Sequence, residues 1–214
     1  MELKLPYESY IVELRREMLG LQPTAIMCFS CVCIEHLLPT TTLCSVTIGK
    51  LITDLLKNGW EQIANSSATP FDSSSDTTLD AALSEVLENS ECFPLLRIIA
   101  EDSVYAAKFL VKYTLTGNID LAIWTGYYAR NAVKHLAWHW HKETGHKFSN
   151  EELLASAIVK AEVKTQYYVI ELLKNTTLNK EVVSNLRLEA QIRGDSFCSQ
   201  IRNYLDKVEV NYGQ

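Results

Sequence analysis

The amino-acid sequence predicts an all-α protein, a single-domain bundle of about eight or nine helices. Apolar residues recur at spacings of three and four almost throughout, while strict alternation of apolar and polar residues over the length of a strand is hard to find. The chain has 214 residues, 47% hydrophobic and 21% charged, enough to bury roughly 70–75% of its unfolded surface in one core without metal or disulfide support.

The first helix is predicted over Tyr7 to Leu19, where Ile11, Leu14 and Met18 make an i, i+3, i+7 stripe and Gly20 follows as a stop. Pro23 stands where prolines open helices. The run from there to Leu38 is apolar on nearly all sides, the pattern of a central buried helix, with Pro39 as its terminator. Leu51, Ile52, Leu55, Leu56 and Trp60 mark an amphipathic helix from Ile48 to Ala64, interrupted by Gly59 near its end. Asn65 to Ser75, NSSATPFDSSS, is a low-complexity loop and the place to expect mobility. Ser75 or Asp76 can cap a helix running to about Asn89, with Leu79, Leu83, Val86 and Leu87 on one face and Asp76, Asp80, Glu88 and Glu91 on another. Pro94 opens a helix to about Thr116, Gly117-Asn118 closes it, and a long segment runs from Ile119 to roughly Thr144. Asn150 with Glu151 and Glu152 starts a helix to about Leu173. After Asn175-Thr176-Thr177, two shorter helices are expected over Glu181 to Arg193 and Asp195 to Val208.

Four stretches of this layout are distinctive. They are Glu35-His36-Leu37-Leu38-Pro39 after a cysteine-containing helix, Trp60 closing the next helix, AEDSVYAAKFLVKYTLTGN from Ala100 to Asn118, and SNEELLASAIVKAEVKTQYYVIELL from Ser149 to Leu173. In these the chain resembles the bacterial domain of unknown function 416 family, small all-helical cytoplasmic proteins. The resemblance covers most of the chain and rests on helix-packing patterns. Relatives of such proteins look like immunity proteins that neutralise bacterial toxins, which implies a tight complementary surface and no catalytic machinery.

Charge is distributed unevenly. Residues 51–102 hold ten carboxylates (Asp54, Glu61, Asp72, Asp76, Asp80, Glu85, Glu88, Glu91, Glu101 and Asp102) against two bases, Lys57 and Arg97, a local net of −8. The other 18 bases and 16 acids leave the remainder at +2. A charged helix face is ordinarily just a solvated face. Here compensating bases are scarce over some fifty residues, and self-repulsion of that kind costs stability unless another requirement maintains it. The expected requirement is a basic protein partner, contacted by Asp72, Asp76, Asp80, Glu85, Glu88 and Glu91. Phe71 and Phe93 would be the aromatic anchors, since charge steers encounter and buried aromatics hold the complex.

Other partners are disfavoured. A net charge of −6 with widely dispersed Lys and Arg does not suit nucleic acid. The first residues carry Glu2, Lys4 and Glu8 with no basic start before an apolar block, so no secretory signal is expected and the protein should stay in the cytoplasm. The longest apolar run, Ala25 to Leu38, is broken by Ser30, Glu35 and His36 and falls short of the ~20 residues of a membrane span. The glycines are scattered singly, so no phosphate loop and no nucleotide cofactor is expected.

Two clusters could carry chemistry. His135, His139, His141 and His146 fall in KHLAWHWHKETGH, and His135 and His139, one helical turn apart, can reach a single metal ion. The intervening Glu of a metalloprotease is missing, and His141 projects roughly 120–160° away at ~100° per residue. The simpler account continues the stripe of Leu121, Trp124 and Tyr128 with His135 and His139 as half-buried rings and His141 toward solvent. A metal site would need an outside carboxylate such as Glu101 or Asp102. Cys28, Cys31 and Cys33 form CFSCVC inside an apolar helix, where core packing accounts for them better than zinc or redox chemistry. All six cysteines, including Cys44, Cys92 and Cys198, are expected to be reduced, and pairing Cys44 or Cys92 with a distant His is no catalytic signature.

The leading expectation is a cytoplasmic, non-catalytic immunity-type protein that neutralises a cognate, basic toxin domain through its acidic surface, with no cofactor. The alternatives are a helical signalling or scaffold protein and a metal-dependent hydrolase built on His135 and His139.

Overall fold

A computed structural model describes residues 7–65, 71–142, 145 and 148–212. These residues form nine α-helices and no strand: α1 Tyr7–Met18, α2 Pro23–Cys44, α3 Val46–Ala64, α4 Ser73–Glu88, α5 Pro94–Thr116, α6 Ile119–Lys142, α7 Asn150–Leu154, α8 Ala157–Asn175 and α9 Lys180–Tyr212. The all-α bundle expected from the periodicity is the observed architecture. Residues 66–70 of the Asn65 to Ser75 loop lie outside the described residues. Its last part belongs to the cap and first turn of α4, with Asp72 Oδ1 accepting from the Ser74 and Ser75 N–H groups at 3.0 and 3.1 Å.

α2 is the axis of the fold. It is buried from Ala25 to Leu37 and packs against α3, α5, α6 and α9. At 22 residues it is long and apolar enough to cross a bilayer, yet 78% of its apolar window is covered by the other helices of this protein, which is where its apolarity is used. α5 and α6, joined through Gly117-Asn118, pack along each other on one side of it, and α4 lies outside α5.

Two expected breaks are absent, and they explain each other. α2 continues through Pro39 to Cys44. Pro39 has no N–H for the Glu35 carbonyl, and past it the Thr41 and Thr42 hydroxyls donate back to the carbonyls of Leu37 and Leu38, at 3.1 and 2.9 Å. The two helices expected at the C-terminus are one, α9, which passes unbroken through Gly194. A Cβ on Gly194 would lie 2.9 Å from the His36 carbonyl oxygen, 3.1 Å from that of Glu35 and 3.1 Å from Pro39 Cδ. The glycine is therefore a point of backbone contact between α9 and the proline turn of α2.

The opposite correction applies to Asn150–Leu173, expected as one helix. α7 ends at Leu154 after a capping box in which Ser149 and Glu152 satisfy each other's N–H groups. Ser156, extended at φ −62° and ψ 150°, starts α8 afresh. Gly59, expected to interrupt α3, lies within it, because a Cβ there would come 2.9 Å from Cys31 Sγ of α2.

On an open helix Gly→Ala stabilises by up to ~1 kcal/mol. At Gly194 the sign should reverse: Gly194→Ala is expected to lower stability by about 1–3 kcal/mol in urea denaturation, because the methyl meets backbone carbonyls that cannot yield. A neutral or more stable variant would refute the close α2–α9 approach.

Candidate functional site

The acidic helix is divided in two. On α4, Asp76 and Asp80 sit one turn apart, facing Lys108 and Lys112, one turn apart on α5. Lys108 Nζ pairs with Asp80 and lies 4.0 Å from Asp76, and Lys112 Nζ lies 3.6 Å from Asp76. Lys108 holds the Asp80 carboxyl below its ordinary range. Asp72 is likewise held down, by the Ser74 hydroxyl and the N–H groups it caps. This half of the expected contact surface is thus internally paired and fastens α4 to α5.

The other half is open. Glu85, Glu88 and Glu91 are exposed, and none belongs to an ion pair among the described residues. Glu85 Oε1 accepts from the Ser45 hydroxyl at 3.1 Å, which brings the end of α4 to the corner between α2 and α3. That corner presents Leu43, 36% exposed, and Val46, 74% exposed, whereas Leu87 of α4, two residues beyond Glu85, is turned about 200° round the helix from it. The expected anchors are elsewhere: Phe71 is buried, its ring near Gly59, and Phe93 is half-buried, caps α5 and meets the Tyr204 ring edge-on at 6.4 Å. The apolar component of the corner is therefore Leu43 and Val46.

Deep in the fold a polar network surrounds the middle of α2. Glu35, 4% exposed, accepts from Trp60 Nε1 of α3 at 2.7 Å and from Gln191 Nε2 of α9 at 2.9 Å, with Arg187 Nε 3.8 Å away. His36 Nδ1 lies 3.2 Å from Glu162 Oε2 of α8, and its ring packs on Phe197 with centroids 5.1 Å apart. Burial alone would raise Glu162, but His36, Arg193 at 3.7 Å and the Gln166 amide at 2.8 Å outweigh it and hold the carboxyl at about 2. Gln166 passes the network on, donating to the Gly126 carbonyl at 3.0 Å and accepting from the Tyr10 hydroxyl, whose ring lies 3.9 Å beneath the Arg130 guanidinium.

The histidines are separated. His135 Nε2 lies 3.0 Å from Asn131 Nδ2, and the same amide bonds both oxygens of buried Asp102 at 3.1 and 3.2 Å. Asp102 thus approaches His135 to 3.8 Å, as a metal reading would want, but the Asn131 amide joins the two. His139 Nδ1 turns to the Tyr204 hydroxyl at 3.4 Å, and His141 is half-buried with its ring 4.1 Å from Phe148, not turned to solvent; His146 lies outside the described residues. No group of three His, Cys, Asp or Glu able to hold a metal ion occurs among the described residues. Burial pushes Asp102 up to about 8 and His135 down to about 4. The thiols of Cys28, Cys31 and Cys33 are buried and pushed up, Cys28 to about 12, as core side chains.

The fold defines a class: an all-helical domain of the kind seen in a solved DUF416 family protein from Shewanella baltica OS155. The two superpose with a TM-score of 0.60 at 16% identity, over 82% of this chain and 91% of that one, a likeness of fold. No family model matches the sequence, and no curated protein matches it.

Between pH 6.5 and 8, Asp102 is ionised in the unfolded chain and protonated in the folded one. The folded state holds the extra proton, so this group's stability contribution falls as pH rises through that window. His135 is neutral in the folded chain but still half protonated in the unfolded one at pH 6.5, so it contributes a small opposing rise that fades within about one pH unit. Asp102→Asn should flatten the slope and be the more stable protein at pH 8, by at least ~1 kcal/mol in urea titrations at the two pH values. A wild-type midpoint that does not move between them would remove Asp102 as a buried neutral acid.

Proposed function

We propose that this chain is a cytoplasmic, non-catalytic binding protein of the immunity type, related to the DUF416 proteins, that neutralises a toxin domain by docking its basic surface at the α4 end and the α2–α3 corner. The observation that carries the reading is the composite surface there. Three carboxylates that belong to no ion pair among the described residues, Glu85, Glu88 and Glu91, stand at the end of α4, which Glu85 joins through Ser45 to the corner carrying exposed Leu43 and Val46. Exposed apolar residues rimmed by charge of one sign are a recurring feature of protein-docking surfaces, in which the charge accelerates encounter and the apolar contact slows release. Asp76 and Asp80 have a different role in this reading, holding α4 in place through Lys108 and Lys112.

The test is a binding experiment with the product of the neighbouring gene, joined to a cell-survival assay against it. Reversing Glu85, Glu88 and Glu91 together to Lys should cut the association rate roughly tenfold or more and weaken its salt dependence, while Val46→Asp should chiefly speed dissociation. Reversing Asp76 and Asp80 should instead lower the stability of the free protein. A toxin that is bound and neutralised equally well by the triple variant sinks the proposal, and so does the absence of any complex.

A further inference from the structure

Four of the six cysteines, Cys28, Cys31, Cys33 and Cys198, are buried. The other two are half-buried and meet. Cys44 ends α2 and Cys92 precedes α5, and across 48 positions of sequence their sulfurs lie 2.6 Å apart, inside van der Waals contact. That is about 0.6 Å longer than the ~2.05 Å of a disulfide bond. Contacts on both sides hold them there: the Cys92 N–H donates to Asn89 Oδ1 at 3.1 Å, and Ser45, next to Cys44, donates to Glu85 at 3.1 Å.

We propose that Cys44 and Cys92 form a site of oxidative modification whose substrate is a hydroperoxide and whose product is the Cys44–Cys92 disulfide. Burial and the Cys92 thiol push Cys44 up to about 12. Either sulfur can react first with the same disulfide as product, and the path through Cys92 is representative. The Cys92 sulfur gives up its proton and attacks a peroxide oxygen. An S–O bond forms, the O–O bond breaks, and the departing alkoxide or hydroxide takes up a proton. The Cys44 sulfur then attacks the sulfenic sulfur of Cys92. The S–S bond forms, the S–O bond breaks, and the Cys44 proton leaves with the hydroxide as water. The two sulfurs lose two electrons, and the hydroperoxide is reduced to its alcohol, or to water when it is hydrogen peroxide. The product ties the α2–α3 corner to the α4–α5 junction and closes a loop of 48 residues, which restricts the unfolded chain.

The site stands on sulfur geometry and does not depend on the docking reading. The test treats the full-length protein with hydrogen peroxide, alkylates it under denaturing conditions and digests it without reductant. The expected result is a linked peptide pair containing Cys44 and Cys92, a fall in free thiols from six to four, and a melting temperature raised by roughly 5–10 °C and restored by dithiothreitol. In Cys44→Ser the linked pair should vanish and Cys92 should be recovered as its oxygen acids. Three results overturn the assignment: an unchanged thiol count, a link to any of the other four cysteines, or Cys92 driven to its sulfinic acid in the wild type while Cys44 remains free to alkylate. The wild-type peptide map is decisive by itself, so the assignment stands or falls even where a variant fails to fold.

Discussion

The Glu35–His36 step in the middle of α2 constrains where the other helices sit. Two polar, ionisable residues interrupt an otherwise apolar helix at a depth where each is about 95% covered. A buried carboxylate left without partners costs several kcal/mol, so the fold must bring donors to it. Trp60 comes from α3, Gln191 and Arg187 from α9, and Glu162 reaches His36 from α8 with Arg193 beside it. A slip of one residue in α9 would turn Arg187, Gln191 and Arg193 through about 100° and leave Glu35 and Glu162 short of donors. Apolar packing holds α2 in the centre; the polar step selects the register of what surrounds it.

The same junction shows why local sequence signals locate the helices but misplace two of their ends. Burial of one face imposes the three-and-four spacing, so the helical segments are legible wherever a core face exists. Pro39 and Gly194 each carry a local signal for termination. That signal is overridden because they face each other: proline leaves a carbonyl exposed, and glycine, having no Cβ, lets α9 approach it. Neither residue shows this alone, since the pairing spans the whole length between α2 and α9. The break at Ser156 is hidden for the converse reason. Apolar spacing continues across it, and only the extended Ser156 backbone separates α7 from α8.

The charge excess is legible as a count and illegible as a surface. Lys108 and Lys112 lie just beyond the acidic stretch in sequence, one helix away in space, and answer Asp76 and Asp80. Matching i, i+4 spacing of acids on one predicted helix and bases on the next is the signal the sequence offers. Asp102 belongs to the count but is buried, and as a neutral acid it adds no charge near pH 7. What remains concentrated at one place is Glu85, Glu88 and Glu91. The exposure of Leu43 and Val46 cannot be read from the sequence at all, because it follows from the continuation of α2 past Pro39 to the corner at Ser45.

The residues of the four distinctive sequence stretches are largely the ones that hold this chain together. Glu35 of the EHLLP stretch bonds Trp60, which closes the next helix, and Glu162 and Gln166 of the C-terminal stretch carry the network from His36 to Tyr10. The hydroxyls of Ser103, in the third stretch, and Thr41 lie 2.7 Å apart, joining α5 to α2 just past the proline. The likeness to the solved DUF416 protein is one of fold, and one fold can carry many functions. The side chains of the proposed docking surface are at the α2–α3 corner and the end of α4, outside all four stretches. The docking proposal is therefore tested at that corner and not in the core, because the core would be needed equally by any protein of this fold.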